Sequence, residues 1–196
     1  YGRRHSAVRR ELENEHEQLI EFLSVRKDLW DGDYYLRENP DVAETGLTPL
    51  EHYLTEGWKE NRNPSEGLRT NVYLRVNPDC RLLDVSPLEH YYIFSRTRMV
   101  FRSYGELREY LNEHGGEILR KSSMFDPRYY TEHCRKKHGF LPDGFEPYSY
   151  YLEHGAEETV KPGPKFRVHR YFSRFPDIRT YGICPVAHYE LIGRFL

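Results

Sequence analysis

Cysteine is scarce in this chain. Cys80, Cys134 and Cys184 are the only three, and an odd number excludes a closed disulfide framework. None has a second Cys or a His at zinc-ligand spacing. His133 adjoins Cys134, but neighbours on a helix point in different directions and chelate poorly. Free thiols buried in a reducing compartment are therefore expected. An excess of one charge is lacking too. With 29 basic against 31 acidic side chains, there is no surplus for a polyanion-binding surface, and no nucleic-acid partner is expected. No apolar run approaches the roughly 20 residues that a membrane helix needs. The N-terminal stretch is too charged for the apolar core of an export signal. The expected location is cytoplasmic, with a peripheral association with a membrane left open. Glycine-rich phosphate loops, Gly-x-Ser-x-Gly and Cys/His pairs at nucleophile spacing are all missing, so no catalytic residue, cofactor or metal is assigned.

Leu, Ile, Val and Phe are also sparse, near the ~20% below which chains tend to stay disordered. What the chain has instead is 17 Tyr among its 196 residues. Each can bury a large ring while its hydroxyl stays hydrogen-bonded. The composition reads as a folded, tyrosine-built protein.

The strongest pattern is internal repetition. Tyr35-Leu36, Asn39-Pro40-Asp41-Val42 and Pro49-Leu50-Glu51-His52-Tyr53 recur without a gap as Tyr73-Leu74, Asn77-Pro78-Asp79-Cys80 and Pro87-Leu88-Glu89-His90-Tyr91. A worn third copy runs from Tyr130 through Pro147 to Tyr150-Tyr151 and Gly155. The fourth reads Tyr171, Phe175-Pro176-Asp177-Ile178, Gly182, Pro185, His188-Tyr189 and Gly193. Repetition over such a period marks stacked supersecondary units.

Each copy predicts a hairpin of two short helices. The first spans Asp33–Asn39 and is ended by Pro40. The second opens on Thr48-Pro49-Leu50-Glu51 or Ser86-Pro87-Leu88-Glu89, a capping box with proline at the first helical position. Gly57 and Gly155 are expected to end it in the left-handed conformation. A charged amphipathic helix over residues 3–28, with Val8, Leu12, Leu19 and Leu23 in one stripe, precedes the first pair of copies. Residues 103–121, with Leu107, Leu111, Ile118 and Leu119, precede the second pair, and Gly115-Gly116 is expected to interrupt that helix. The fold predicted is all-α: tandem short helical-hairpin repeats with two longer amphipathic helices, in modules 1–102 and 103–196. The fourth copy stops at Gly193-Arg194-Phe195-Leu196 without a Glu-x-Arg-x-Pro ending, as a cut chain would.

The string Tyr34-Tyr35-Leu36, Asn39-Pro40-Asp41-Val42, Gly46, Pro49-Leu50, His52-Tyr53, Gly57-Trp58, Glu60, Arg62, Pro64 resembles a tandem motif. That motif lies beside bacterial glycosyltransferases and in sulfotransferase-like proteins of surface-polysaccharide pathways. Ser95 replaces its glycine in the second copy, and the third lacks Asn-Pro-Asp. The resemblance implies an accessory region and transfers no catalytic residue. It implies a non-catalytic scaffold or docking module, whose partner is a protein or catalytic domain of polysaccharide assembly. A fragment of a glycosyltransferase with its catalytic domain elsewhere is an alternative. The N-terminal helix could pair with a second copy and give a homodimer.

Several residues carry competing readings. His52, His90 and His188, with Tyr150 in the third copy, could be proton donors. One per copy reads better as an architectural bond, such as from His52 to Asp41 or to loop carbonyls. Asp31-Gly32-Asp33 looks like a metal-holding acidic pair, but Asp126-Pro127-Arg128 at the corresponding place favours helix caps. Arg3-Arg4, Arg9-Arg10, Lys136-Lys137 and Arg167–Arg170 read as solvated faces. Trp30, Tyr34, Trp58, Tyr92, Tyr104 and Tyr110 are candidates for stacking on sugar rings, the basis of a glycan-binding alternative.

Overall fold

The structure, a computed structural model, describes residues 2–157 and 159–196, with side chains from residue 6 onward. Arg3-Arg4 therefore lies outside the described side chains. Thirteen α-helices and no strand occur among the described residues, so the fold is all-α as the sequence implies. The chain divides into two compact units, Tyr1–Ser103 and Tyr104–Leu196.

The first unit opens with α1 (Gly2–Asn14) and α2 (His16–Ser24). One helix over 3–28 was expected; the chain instead breaks at Glu15 and leaves the helix after Ser24. The cause is tertiary. The Glu15 carboxylate accepts hydrogen bonds from the Tyr92 hydroxyl at 2.8 Å and from Arg96 Nη2 at 2.7 Å. The break also lets α1 pack on α6 (Asp79–Leu83) while α2 packs on α7 (Pro87–Phe94). Val8, Leu12, Leu19 and Leu23 are all buried, so the apolar stripe continues across it.

Between these helices lie α3 (Gly32–Glu38), a 3₁₀ turn at Pro40–Glu44, α4 (Pro49–His52) extended by a π-turn at Tyr53–Gly57, and α5 (Thr70–Val76). Both capping boxes form: the Thr48 and Ser86 hydroxyls accept from the Glu51 and Glu89 amides, and the glutamates bond back. Tyr35, Tyr53 and Tyr73 are fully buried with Leu19, Leu23, Leu29, Leu68 and Leu88. The rings supply the volume that the sparse aliphatics do not.

The second unit holds α8 (Tyr104–Lys121), α9 (Pro127–His138), α10 (Pro147–His154), α11 (Val168–Arg174), α12 (Pro176–Thr180), α13 (Pro185–Leu191) and a final 3₁₀ turn at Gly193–Phe195. Contrary to expectation, α8 runs unbroken through Gly115-Gly116. Gly115 is a contact surface. A Cβ there would lie 2.5 Å from Cδ2 of Leu152, on α10, which packs against α8.

The repeat glycines need a similar correction. Gly57 and Gly155 are not among the residues with positive φ. A Cβ on Gly57 would overlap the Tyr35 hydroxyl and stand 3.2 Å from Tyr35 Cζ. On Gly193 it would overlap the Tyr171 hydroxyl, and on Gly155 it would stand 2.8 Å from Tyr151 Cε2. Gly57 and Gly193 make room for a ring, while at Gly155 the Tyr151 carbonyl is a nearer obstacle than its ring.

Candidate functional site

The residues that recur from copy to copy meet each other. Tyr35 Oη lies 2.9 Å from His52 Nδ1, Tyr73 Oη 2.8 Å from His90 Nδ1, and Tyr171 Oη 2.6 Å from His188 Nδ1. Each tyrosine stands on the opening helix of its copy and each histidine on the closing one, so one bond closes each hairpin. A short helical turn that a two-helix hairpin does not include lies between them: the 3₁₀ turn in the first copy, α6 in the second and α12 in the fourth. Burial pushes the Tyr35 phenol up to about 12 and drives Tyr73 well above its ordinary range, so both stay protonated at neutral pH. Burial also lowers His188 to about 3, so this imidazole is neutral. In the third copy Tyr130 packs edge-on against Tyr151 with ring centroids 5.0 Å apart. Tyr150 lies against Phe145 at 4.9 Å and His154 at 4.4 Å.

The recurring aspartates are held differently in the two copies of the first unit. Asp41 receives both arms of the Arg62 guanidinium, at 2.9 and 2.7 Å. Arg62 also donates to Glu60 at 2.6 Å and to Asn39 Oδ1 at 3.3 Å. The bond anticipated from His52 to Asp41 is thus replaced by one from the arginine of the Glu-x-Arg tail. Asp79 Oδ2 instead lies 3.2 Å from His90 Nε2 and also accepts from Arg98. Burial would raise the Asp79 carboxyl, but the hydrogen bond and charge of His90, with Arg98, bring it down to about 2. Arg98 Nη2 also lies 3.2 Å from His90 Nε2, so Asp79, His90 and Arg98 form one polar cluster behind the Tyr73–His90 bond.

Asp31 caps α3, one carboxylate oxygen accepting from the Asp33 and Tyr34 amides at 3.1 Å each. Asp126 caps α9 in the same way from Arg128 and Tyr129. The amides of Asp31 and Asp126 donate to the carbonyls of Pro64 and Pro162, at 3.1 and 2.9 Å. Among the described residues no cluster of three or more His, Cys, Asp or Glu is placed to hold a metal ion. Cys80, Cys134 and Cys184 are free and buried. Burial carries the Cys184 thiol up to about 12, far from a reactive thiolate.

The sugar-stacking candidates separate into two groups. Trp58, Tyr92 and Tyr104 are core residues, which corrects their reading as presented aromatics. The Trp58 indole donates to the Leu54 carbonyl, and Tyr104 stacks on Tyr181. Trp30, Tyr34 and Tyr110 are half-buried: Trp30 packs against Tyr35 and Tyr53, Tyr34 lies under Arg37, and Tyr110 rests against His114.

The exposed apolar side chains are placed elsewhere. Leu47 is 44% exposed, Leu82 48%, Phe140 69% and Tyr181 43%. Leu47 and Phe140 lie in the connections of the first and third copies, Leu82 on α6, and Tyr181 just after α12. Cations also gather where the sequence reading saw a solvated face. Arg167 and Arg170 line one cavity of the second unit with Lys165 and Arg174. The legible signal was the comparison of copies, since the second copy has Gly67, Val72 and Val76 where the fourth has Lys165, Arg170 and Arg174. No helix among the described residues is long and apolar enough to cross a membrane. Comparison with known protein families, curated proteins and solved structures gives no match.

Proposed function

We propose that this chain is a non-catalytic helical-repeat scaffold, docking a protein partner or catalytic domain of bacterial surface-polysaccharide assembly. The observation that carries the reading is how the polar residues are used. Those that recur from copy to copy bond to one another inside the hairpins, while the segments between the opening and closing helices vary and expose Leu47, Leu82, Phe140 and Tyr181. Exposed apolar groups on variable loops over a fixed frame are how repeat proteins bind partners. The link to polysaccharide assembly, and the alternative of a glycosyltransferase fragment, rest on the sequence resemblance. The glycan alternative keeps only Trp30, Tyr34 and Tyr110. The test is affinity purification from the source cells with mass spectrometry, comparing the natural chain with Leu82→Ser/Phe140→Ser. A polysaccharide-assembly enzyme recovered with the natural chain and lost from the variant is the expected result. Equal recovery by both, or no such enzyme, would overturn the reading.

A further inference from the structure

Four cations ring one cavity of about 290 Å³ in the second unit: Lys165, Arg167, Arg170 and Arg174. Phe166 and Tyr189 form part of its wall, and no carboxylate lines it. Arg167 precedes α11 while Arg170 and Arg174 stand on it, so the helix aims its basic side chains at one place. Lys165, Arg167 and Arg170 have no ion-pair partner among the described residues. Arg174 donates to the Leu196 carbonyl at 3.3 Å and lies over the Phe175 ring.

This charge is not required by the hairpin. At the same places the second copy has Gly67, Arg69, Val72 and Val76, so three of the four cations replace glycine or valine. The apolar wall is retained, with Leu68 in the second copy where Phe166 stands in the fourth. Like charges gathered without acids repel one another and raise the local potential, which an incoming anion relieves. Guanidinium groups match phosphate oxygens in geometry as well as charge. A carboxylate would be satisfied by a single arginine fork. A phosphomonoester, carrying roughly −1.5 to −2 at neutral pH, makes fuller use of several cations. The aromatic wall suits the face of a ring. The volume, about 290 Å³, is close to the lower bound of small-molecule sites, about 300–1,000 Å³, and suits one ring with its phosphate.

We propose that this cavity binds a small phosphomonoester carried on a ring, either a sugar phosphate or a mononucleotide. The phosphate is held by Arg170, Arg174 and their neighbours, and the ring lies against Tyr189. The test is calorimetric titration of the whole chain at low salt with glucose 1-phosphate, AMP, inorganic phosphate, glucose and adenosine. The expected result is saturable binding of glucose 1-phosphate or AMP, tighter than inorganic phosphate, with the neutral parents inert; whichever binds identifies the ring. Arg170→Val/Arg174→Val installs the residues that the second copy already tolerates. It should keep the melting temperature while weakening binding by about tenfold or more. Arg128→Ala, an exposed arginine outside the cavity, should leave affinity unchanged. Failure of both ring phosphates to saturate would overturn the proposal. So would an affinity no better than inorganic phosphate, or binding unmoved by the valine pair.

Discussion

A phenol tip and an absent methyl group meet wherever Tyr35 or Tyr171 approaches Gly57 or Gly193. The Tyr35 hydroxyl is tied to His52, so the ring cannot withdraw without breaking that bond. Overpacking of a filled interior costs about 1–3 kcal/mol, and Gly57→Ala is expected near the upper end. Tyr35→Phe removes the clashing oxygen and leaves Cζ 3.2 Å from the new methyl, which small shifts absorb. The two substitutions should therefore be less than additive, with Gly57→Ala much milder in the Phe background. Urea unfolding of the four proteins measures this; equal costs in both backgrounds would mean that the glycine serves some other purpose. His188 carries a second prediction at this scale. Burial holds it near 3 in the folded chain, against about 6.5 unfolded. Between those values the unfolded chain binds a proton that the folded chain refuses, so stability falls as pH drops from about 6.5 toward about 3. The slope is up to about 1.4 kcal/mol per pH unit. Asp79, depressed to about 2, loses its contribution only below its unfolded value of about 3.8, and Glu89, whose carboxyl burial pushes up, adds an opposing slope above its ordinary range, so the part of the limb just below pH 6.5 reports His188. His188→Gln is expected to lower stability at pH 7 and to flatten that limb. A slope unchanged by the substitution would show that other groups set it.

At the scale of elements, helix starts were legible and so was the proline-made end of α3 before Pro40, but the ends assigned to glycine were not. Thr48, Ser86, Asp31 and Asp126 announce their helices because a cap is a local bond between residues two or three apart. The glycine positions here are decided at a distance. Gly57 looks like a left-handed terminator, yet its cause is a tyrosine 22 residues earlier, so glycine's two uses cannot be separated from local sequence. Gly115-Gly116 misleads for the same reason, since a close approach by Leu152 requires glycine without breaking the helix. The break at Glu15 has no local signal; it depends on Tyr92 of α7 and on Arg96 just after it. The hydrogen-bonding role of the histidines was visible as recurrence, but their partner was not. Tyrosine and aspartate both recur beside them, and only geometry assigns Nδ1 to Tyr35 in the first copy and adds Asp79 at Nε2 in the second. The basic cavity is not legible in the run Arg167–Arg170, because Lys165 and Arg174 join it only through the fold and through comparison with the apolar residues at matching places.

For the whole molecule, the question is what one pair of copies needs to stand. A hairpin of two short helices buries too little to fold alone, and isolated helices below ~12 residues are marginal. Two hairpins with a leading helix reach the size at which a single core suffices. In the first unit one continuous cluster runs from Val8 and Leu12 through Tyr35, Tyr53 and Tyr73 to Tyr92 and Phe94. In the second, Leu107, Leu111 and Leu119 of α8 are buried, as are Tyr130, Tyr151, Ile178 and Val186. Each leading helix thus contributes an apolar face to its own pair, and the self-sufficient unit is helix plus two copies. Residues 1–103 and 104–196 produced separately should each unfold cooperatively in urea, with stabilities on the order of 5–15 kcal/mol and intact near-ultraviolet tyrosine bands. Deleting residues 104–121 from the second half should abolish both signals, because the two remaining hairpins lose the face on which α10 and α13 pack. If that shortened half keeps its tyrosine bands and its cooperative transition, a pair of hairpins is stable by itself and the leading helix is an addition to the fold.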